Sequence, residues 1–541
     1  MSQTLPQTSA ADDESYLSHR QILVVMGGLM AGMFLGALDQ SIVATALPTI
    51  TSQLGGLDKL SWVVTAYLLT ATAVTPLWGK ISDLYGRKRI FQLAIVVFLV
   101  GSLLSGMSQN IEELIAFRAF QGIGGGGLFA LAMATMGDIV PPRERGKYGG
   151  YFGAVFGTSS VLGPVLGGFF ADLHSTPLIG SGWRWIFYVN LPIGIAALVV
   201  TSVALRIHHV RRNHKVDYLG ATTIVAAVSS LLLYTSWAGP DQGWFSGLGL
   251  VLVVVGVLLG ALFVWVEHRA PEPIIPMELF RNQIFTTSNI FGCIIGFAMF
   301  GTLVFMPVYL QVVDDMSPTR SGLALLPMVI GIFSTSISSG LAMTRTGRYK
   351  IFPVMGATGV IVALFLLSRL TPASPYWQVA VFIYIFGAGL GLTMQTIVTA
   401  VQNSIDRKHM GSATSSVMFF RQLGGTFGAA VFGAILTTRL AAHMAQEFGP
   451  AAAAKLGGGS VTGNVDKVKA LKEVAPVIYH KVLDAFSMSL DNVFLWAIPA
   501  VLLALVVSLF IREIPLKSRS NGDGGPAGGA GHDQELPVPV G

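Results

Sequence analysis

The sequence predicts an all-α polytopic membrane protein of about fourteen spans, and three observations predict it. Apolar residues make up 52% of the chain, charged residues only 11%, and the mean hydropathy is +0.65. No ordinary soluble domain has that balance. Apolar runs long enough to cross a hydrocarbon core of about 30 Å recur along the chain. Finally, a shift of 261 residues brings the two ends of the sequence into register, the mark of a duplicated architecture. It carries Gly79, Gly86, Arg87 and Arg89 onto Gly340, Gly347, Arg348 and Lys350, and Gly163 and Gly167 onto Gly424 and Gly428.

Span 1, residues 22–47, follows a polar segment (1–20) and is too long, without a small-residue cleavage pattern, for a signal peptide. It holds the one acidic residue deep inside an apolar run, Asp39 in Leu38-Asp39-Gln40-Ser41. A carboxylate at membrane depth costs about 2.5–3.5 kcal/mol even on insertion scales, so its default reading is a functional site such as a proton relay. Span 2 (61–79) ends in Gly79-Lys80-Ile81-Ser82-Asp83-Leu84-Tyr85-Gly86-Arg87-Lys88-Arg89. Its glycines permit a tight reversal and close helix approach. Asp83 is placed to meet a basic group or a helix N-terminus.

After span 3 (90–109), span 4 (113–137) sets Arg118 and Gln121 three residues apart on one helix face. At 1.5 Å per residue both fall in the same leaflet half as Asp39, within reach of a pair or a shared network. A structural arginine bonded to backbone carbonyls is the competing reading. Span 5 (148–171) carries Gly153, Gly157, Gly163, Pro164, Gly167 and Gly168, a stripe that suits close helix packing and a bend. Span 6 (184–206) opens with Trp183-Arg184-Trp185-Ile186-Phe187-Tyr188-Val189-Asn190-Leu191-Pro192.

Spans 7 (218–238) and 8 (245–266) have no place in the repeat and read as an inserted pair within 211–283. Spans 9 to 13 (285–312, 321–343, 350–369, 376–402, 410–438) repeat spans 1 to 5, and span 14 (490–511) closes the second unit. The units are therefore 21–210 and 284–513, with a long outer loop at 439–489, in which Val465–Phe486 has a weak amphipathic pattern. The tail, 514–541, rich in Gly and Pro, is expected to be disordered. Under the repeat Asp39 maps to Phe300 and Arg118 to Val379, which confines the ionisable chemistry to the first unit.

Charge gives orientation. The connections after spans 2, 4, 6, 8, 10 and 12 hold 18 of the 34 basic residues, and the short opposite loops hold four, Lys59, Arg184, Arg320 and Arg369. Basic loops stay cytoplasmic, so both termini are expected inside, and the net charge of +6 reads as topology rather than nucleic-acid binding. The single Cys293 excludes a disulfide framework, and His208, His209 and His214 sit in a basic loop. No metal site or cofactor is expected. No phosphate-binding loop is present, so ATP is not the energy source.

The Gly79–Arg89 string resembles the signature loop of the major facilitator superfamily. Together with Asp39, the Arg118–Gln121 string, the Gly-Pro-x-x-Gly-Gly string of span 5 and the Trp183–Pro192 string, the chain resembles its fourteen-spanner drug/proton antiporter branch over most of 20–438 and span 14. The resemblance implies a major facilitator fold of two six-helix bundles plus two inserted helices. It implies proton coupling at Asp39, Arg118 and Gln121, and gating at Gly79, Asp83, Gly86, Arg87 and Lys88. The span-5 glycines become an antiporter motif, which favours export over uptake. Spans 1, 4, 9 and 12 would surround the cavity, nominating Met33, Phe34, Phe297, Met299, Phe300, Met394 and Gln395, with Gln311 and Arg421 as further polar candidates. Packing against lipid or a neighbouring helix is the competing reading for each.

The expected function is proton-coupled multidrug efflux of amphipathic or cationic compounds by alternating access, by a multi-pass monomer of the plasma (inner) membrane. Its partners would be a small-molecule substrate, protons and the bilayer. Export of an endogenous lipid, siderophore or antibiotic fits the same residues. A non-transporting receptor or an enzyme would need a catalytic constellation that the chain does not offer.

Overall fold

Backbone N–H and C=O groups in lipid find no water, so an apolar chain satisfies them inside helices. The computed structural model describes residues 19–54, 60–140, 144–173, 181–205, 217–235, 243, 245–449 and 475–516, and no strand occurs among them. The expected tail from 517, the histidines at 208, 209 and 214, and the first part of the amphipathic pattern, 465–474, lie outside the described residues.

The first repeat comprises α1 (His19–Leu54), α2 (Leu60–Tyr85), α3 (Arg87–Met107), α4 (Ile111–Ile139), α5 (Arg145–Asp172) and α6 (Asn190–Ala204). A single turn, Trp185–Tyr188, leads into α6. Next come α7 (Tyr218–Leu233) and α8 (Gly247–Glu267). The second repeat comprises α9 (Gln283–Val312), α10 (Leu326–Thr346), α11 (Ile351–Leu367), α12 (Tyr376–Ser404), α13 (Met410–Phe448) and α14 (Pro476–Leu509), with a short helix Pro318–Ala324 before α10. Eleven segments among the described residues are long and apolar enough to cross a membrane.

Packing obeys the 261-residue register. In the first repeat α1 packs on α5 and α6, and α4 packs on α2 and α3. In the second, α9 packs on α13 and α14, and α12 packs on α10 and α11. Glycines set both seams. A Cβ at Gly163 would collide with Ser41, and one at Gly167 would lie 2.6 Å from the Ile42 carbonyl oxygen of α1. Their counterparts Gly424 and Gly428 meet the Cys293 and Phe297 carbonyls of α9 in the same way. The turns agree too: Gly86 and Gly347 both take positive φ, 94° and 70°, which only glycine adopts without strain. Between the repeats α2 packs on α13 and α5 on α10, and these two contacts exchange under the shift. The pair α7 and α8 pack on each other, and α7 leans on α2.

The expected outer loop at 439–489 is shorter than the sequence suggests. α13 continues to Phe448, and α14 begins at Pro476 rather than near 490. Tyr479, Val482, Leu483 and Phe486 recur at helical spacing and are buried. The intervening His480, Lys481 and Asp484 dilute the hydropathy of this turn, which is why a search for continuous apolar runs passes over it.

The seams rank substitutions. Gly424→Ala, which drives a methyl into the backbone of α9, should cost about 1–3 kcal/mol, whereas Gly260→Ala, with nothing within 4 Å of a Cβ there, should be neutral or gain about 0.5–1 kcal/mol of helix propensity. Thermal unfolding of the two purified variants measures the difference, and equal midpoints would contradict the close α9–α13 approach.

Candidate functional site

Asp39 is fully buried on α1, where it is reached from three directions. Arg118 Nη1 of α4 donates to its Oδ2 at 2.5 Å. Its Oδ1 accepts from Gln121 Nε2 at 2.8 Å and from Asn190 Nδ2 of α6 at 3.1 Å. Arg118 Nη1 also bonds Gln121 Oε1 at 2.8 Å, and Asn190 Nδ2 reaches Ser102 Oγ of α3 at 3.0 Å. The guanidinium lies 4.2 Å from the Tyr67 ring centroid and 5.9 Å from that of Phe187. Burying an ion pair costs several kcal/mol per ion, recovered only where geometry is good and remaining groups are bonded. Here three donors on one carboxylate and an aromatic face supply that compensation.

The expected trio, Asp39, Arg118 and Gln121, therefore meets. Asn190 and Ser102 complete it, and sequence reasoning missed both roles. Asn190 stands in the Trp183–Pro192 string, but nothing in that string's spacing shows that α6 turns it toward α1.

A second cluster closes the end of the molecule that carries the basic loops. Asp83 Oδ1 accepts from the Gly411 N–H at 3.0 Å, and Oδ2 accepts from the Ser412 N–H at 2.9 Å and the Ser412 hydroxyl at 3.1 Å. These are orphan donors at the start of α13, where the helix dipole favours an anion. Arg87 pairs with Asp83 at 2.6 Å and with Asp138 of α4 at 2.6 Å, and also bonds Ser82. Gly79 lets α2 come against Ser415 and Gly411 of α13. His409 precedes α13; its imidazole is pushed below its ordinary value by burial, then by Lys408 and Lys80, against Asp83 and Asp406. Lys88 instead donates to the Ser202 carbonyl of α6 at 2.5 Å. Lys80 pairs with Glu272 at 2.6 Å, tying α2 to the connection between α8 and α9.

The span-5 glycines divide their tasks. Gly163 and Gly167 pack on α1, while Gly157 faces Val329 of α10 and Pro164 touches the Gly322 position. Gly153 and half-buried Gly168 lie on the same helix.

Between the repeats lies a cavity open to solvent, with about 840 Å³ of empty space when the solvent at its mouth is included. Met299, Phe300, Met394, Gln395 and Arg421 line it as nominated. Met33, Phe34, Phe297 and Gln311 do not border it. α1 reaches this cavity through Gln40, so Met33 is packed in the core away from it. Phe297 stacks edge-on against Phe432 at 4.8 Å, and Gln311 bonds Ser321 at 3.0 Å. Sequence reasoning missed the share of α2 and α5 in the wall, Thr75 and Phe152, and did not name Phe129 and Met133 of the nominated span 4 or Met418 and Gln422 beside Arg421 on α13. Thr75 Oγ1 bridges to Gln422 Oε1 at 3.3 Å, joining the repeats at the cavity.

The sequence matches the Major Facilitator Superfamily over residues 29–429. The chain belongs to that superfamily. This facilitator is 39% identical to an MFS-type transporter of Mycobacterium tuberculosis over 506 residues, 91% of this chain and 70% of that protein. It is 34% identical to the multidrug transporter protein MdtP of Bacillus subtilis over 94% of this chain and 96% of that one. The solved structure of the proton:xylose symporter XylE shares its fold, with a TM-score of 0.58 at 13% identity, covering 92% of this chain and 97% of that one. The facilitator is thus a multi-pass membrane transporter of small molecules, not an enzyme, and its relatives include multidrug transporters and efflux pumps.

Asp83→Asn removes the charge that holds the α13 start. A lost hydrogen bond to a charged group is worth about 1.5–3 kcal/mol, so the equilibrium should shift roughly tenfold or more toward forms open at the basic end. Spin-label distances between the ends of α2 and α13 measure it; an unchanged distance distribution would show that Asp83 does not act as the clasp.

Proposed function

We propose that the facilitator is a proton-coupled exporter of amphipathic compounds of the fourteen-spanning drug/proton antiporter branch. In this reading it is a monomer of the plasma (inner) membrane with both termini cytoplasmic, and two six-helix bundles flank an inserted pair. The observation that carries the reading is the buried Asp39 network, one residue along α1 from Gln40 in the cavity wall. An ionisable group in the membrane interior marks a relay or a substrate pathway, and the multidrug relatives favour export.

The network suggests the steps. As a carboxylate, Asp39 is an acceptor only, and its three donors hold α1, α4 and α6 together. A proton arriving on Oδ2 ends the ion pair with Arg118, which retains Gln121 Oε1 and the Tyr67 face. Breaking a buried pair is expensive, so the protonated form relaxes by shifting α1 against α4. Gln40 moves with α1, and the cavity wall changes with it. At the basic end the Asp83 clasp with α13 opens and closes in turn, giving the two states between which substrate and proton select.

One charge crossing 100 mV is worth about 2.3 kcal/mol, so one net charge per cycle sustains a roughly fiftyfold gradient.

Asp39→Asn should abolish efflux driven by a pH gradient in proteoliposomes, by about tenfold or more, while exchange of the same amphipathic dyes at equal pH persists. Arg118→Ala should do the same. Efflux that still follows the pH gradient in Asp39→Asn would overturn proton coupling at this network.

A further inference from the structure

Among the described residues the cavity wall holds one charged side chain, Arg421 of α13, and no carboxylate. Asp39, next in sequence to Gln40 of the wall, is already occupied by Arg118, Gln121 and Asn190. The interior arginines differ accordingly, and Arg145 is held by the Val140 and Gly137 carbonyls. Arg118 meets Asp39, Arg87 meets Asp83 and Asp138, and Arg421 forms no ion pair among the described residues. Its Nη2 donates to Met418 Sδ at 3.0 Å, a weak acceptor, which leaves most of a five-donor fork uncommitted.

The neutral amides of the same wall are only partly paired, Gln395 Nε2 reaching Thr399 Oγ1 at 3.5 Å. Gln395 of α12 is 2% exposed, and its Oε1 is buried without a hydrogen-bond partner. Gln422 uses its Oε1 for Thr75, and its amide N–H2 has no acceptor among the described residues. Phe129, Met133, Phe152, Met299 and Phe300 form the rest of the wall. Such apolar and thioether surface suits an aromatic or aliphatic body of drug size.

We propose that the cavity takes an amphipathic monoanion, a carboxylate or sulfonate, whose head pairs with Arg421 while its body lies on the Met and Phe wall. The proposal rests on the efflux reading of this cavity and narrows its substrate class, against the expectation of cationic compounds. A guanidinium presents its fork to a carboxylate or sulfonate bidentately. An incoming cation would meet a like charge at low dielectric with no acid to offset it.

The test uses three probes with one aromatic body: naphthylacetic acid, naphthylacetamide and naphthylethylamine, with charges of minus one, zero and plus one at neutral pH. Scintillation-proximity competition on the purified full-length protein gives their affinities. Wild type should bind the acid about tenfold more tightly than the amide and the amine most weakly. Arg421→Gln should lose that tenfold for the acid while leaving the amide within about twofold, and Arg421→Lys should keep part of the preference. Wild-type preference for the amine, equal affinities, or no binding of the acid overturns the proposal without reference to any variant. A parallel loss for acid and amide in a monodisperse Arg421→Gln protein overturns it as well. Binding is measured without a gradient, so a failure of proton coupling would leave this charge ranking intact and be told apart from it.

Discussion

Charge in a lipid-embedded interior needs a partner, and the disposition of this facilitator follows from where partners are supplied. Arg118 and Asp39 sit at 1% and 0% exposure because Gln121, Asn190 and the Tyr67 ring complete their shells. To bring these together α1, α4 and α6 must all approach one point, and Ser102 on α3 braces Asn190 from behind. A helix turned by one residue would leave a buried charge short of a donor, at a cost of several kcal/mol. The network therefore fixes the rotation of three helices, and with it Gln40 in the cavity wall.

The second constraint is backbone proximity. Glycines at the α1–α5 and α9–α13 seams are positions where no side chain fits, so both repeats close in the same register. This much was legible in the sequence, because a glycine that must remain a glycine leaves its identity in the string. Gly86 and Gly347 show the same logic through φ. The start of α14 was not legible: its buried residues are separated by His480, Lys481 and Asp484, and their value depends on neighbours brought from far along the chain.

The candidate site divides in the same way. Asp39, Arg118, Gln121 and Asp83 could be named because ionisable and amide groups stand out against an apolar background. Asn190 could not, since an amide near the start of a span reads equally as an interfacial residue until α6 is placed against α1. The cavity wall was half legible. Nominating whole spans caught Met299, Phe300, Met394 and Gln395, but only helix rotation shows that Phe297 turns to Phe432 and that α2 contributes Thr75.

The repeat sharpens the division of labour between the two halves. Asp39 has Phe300 as its counterpart and Arg118 has Val379, while Arg421 corresponds to Ser160 in the first repeat. The first half thus carries a neutralised pair without a twin, and the second carries at the cavity a cation without a twin and without an ion pair among the described residues. The two are joined at the cavity by Gln40, next to Asp39, and by Gln422, next to Arg421 and bonded to Thr75. In the proposed cycle an anion leaves as a proton enters. Both movements carry positive charge inward in net terms, so each would draw about 2.3 kcal/mol from every 100 mV of an inside-negative potential. A cation exported against the same proton would cancel that electrical term, and only the pH difference would remain to drive it. On this proposal Arg421, without an ion pair among the described residues and costly for the fold, would select the substrate sign for which the membrane potential does the most.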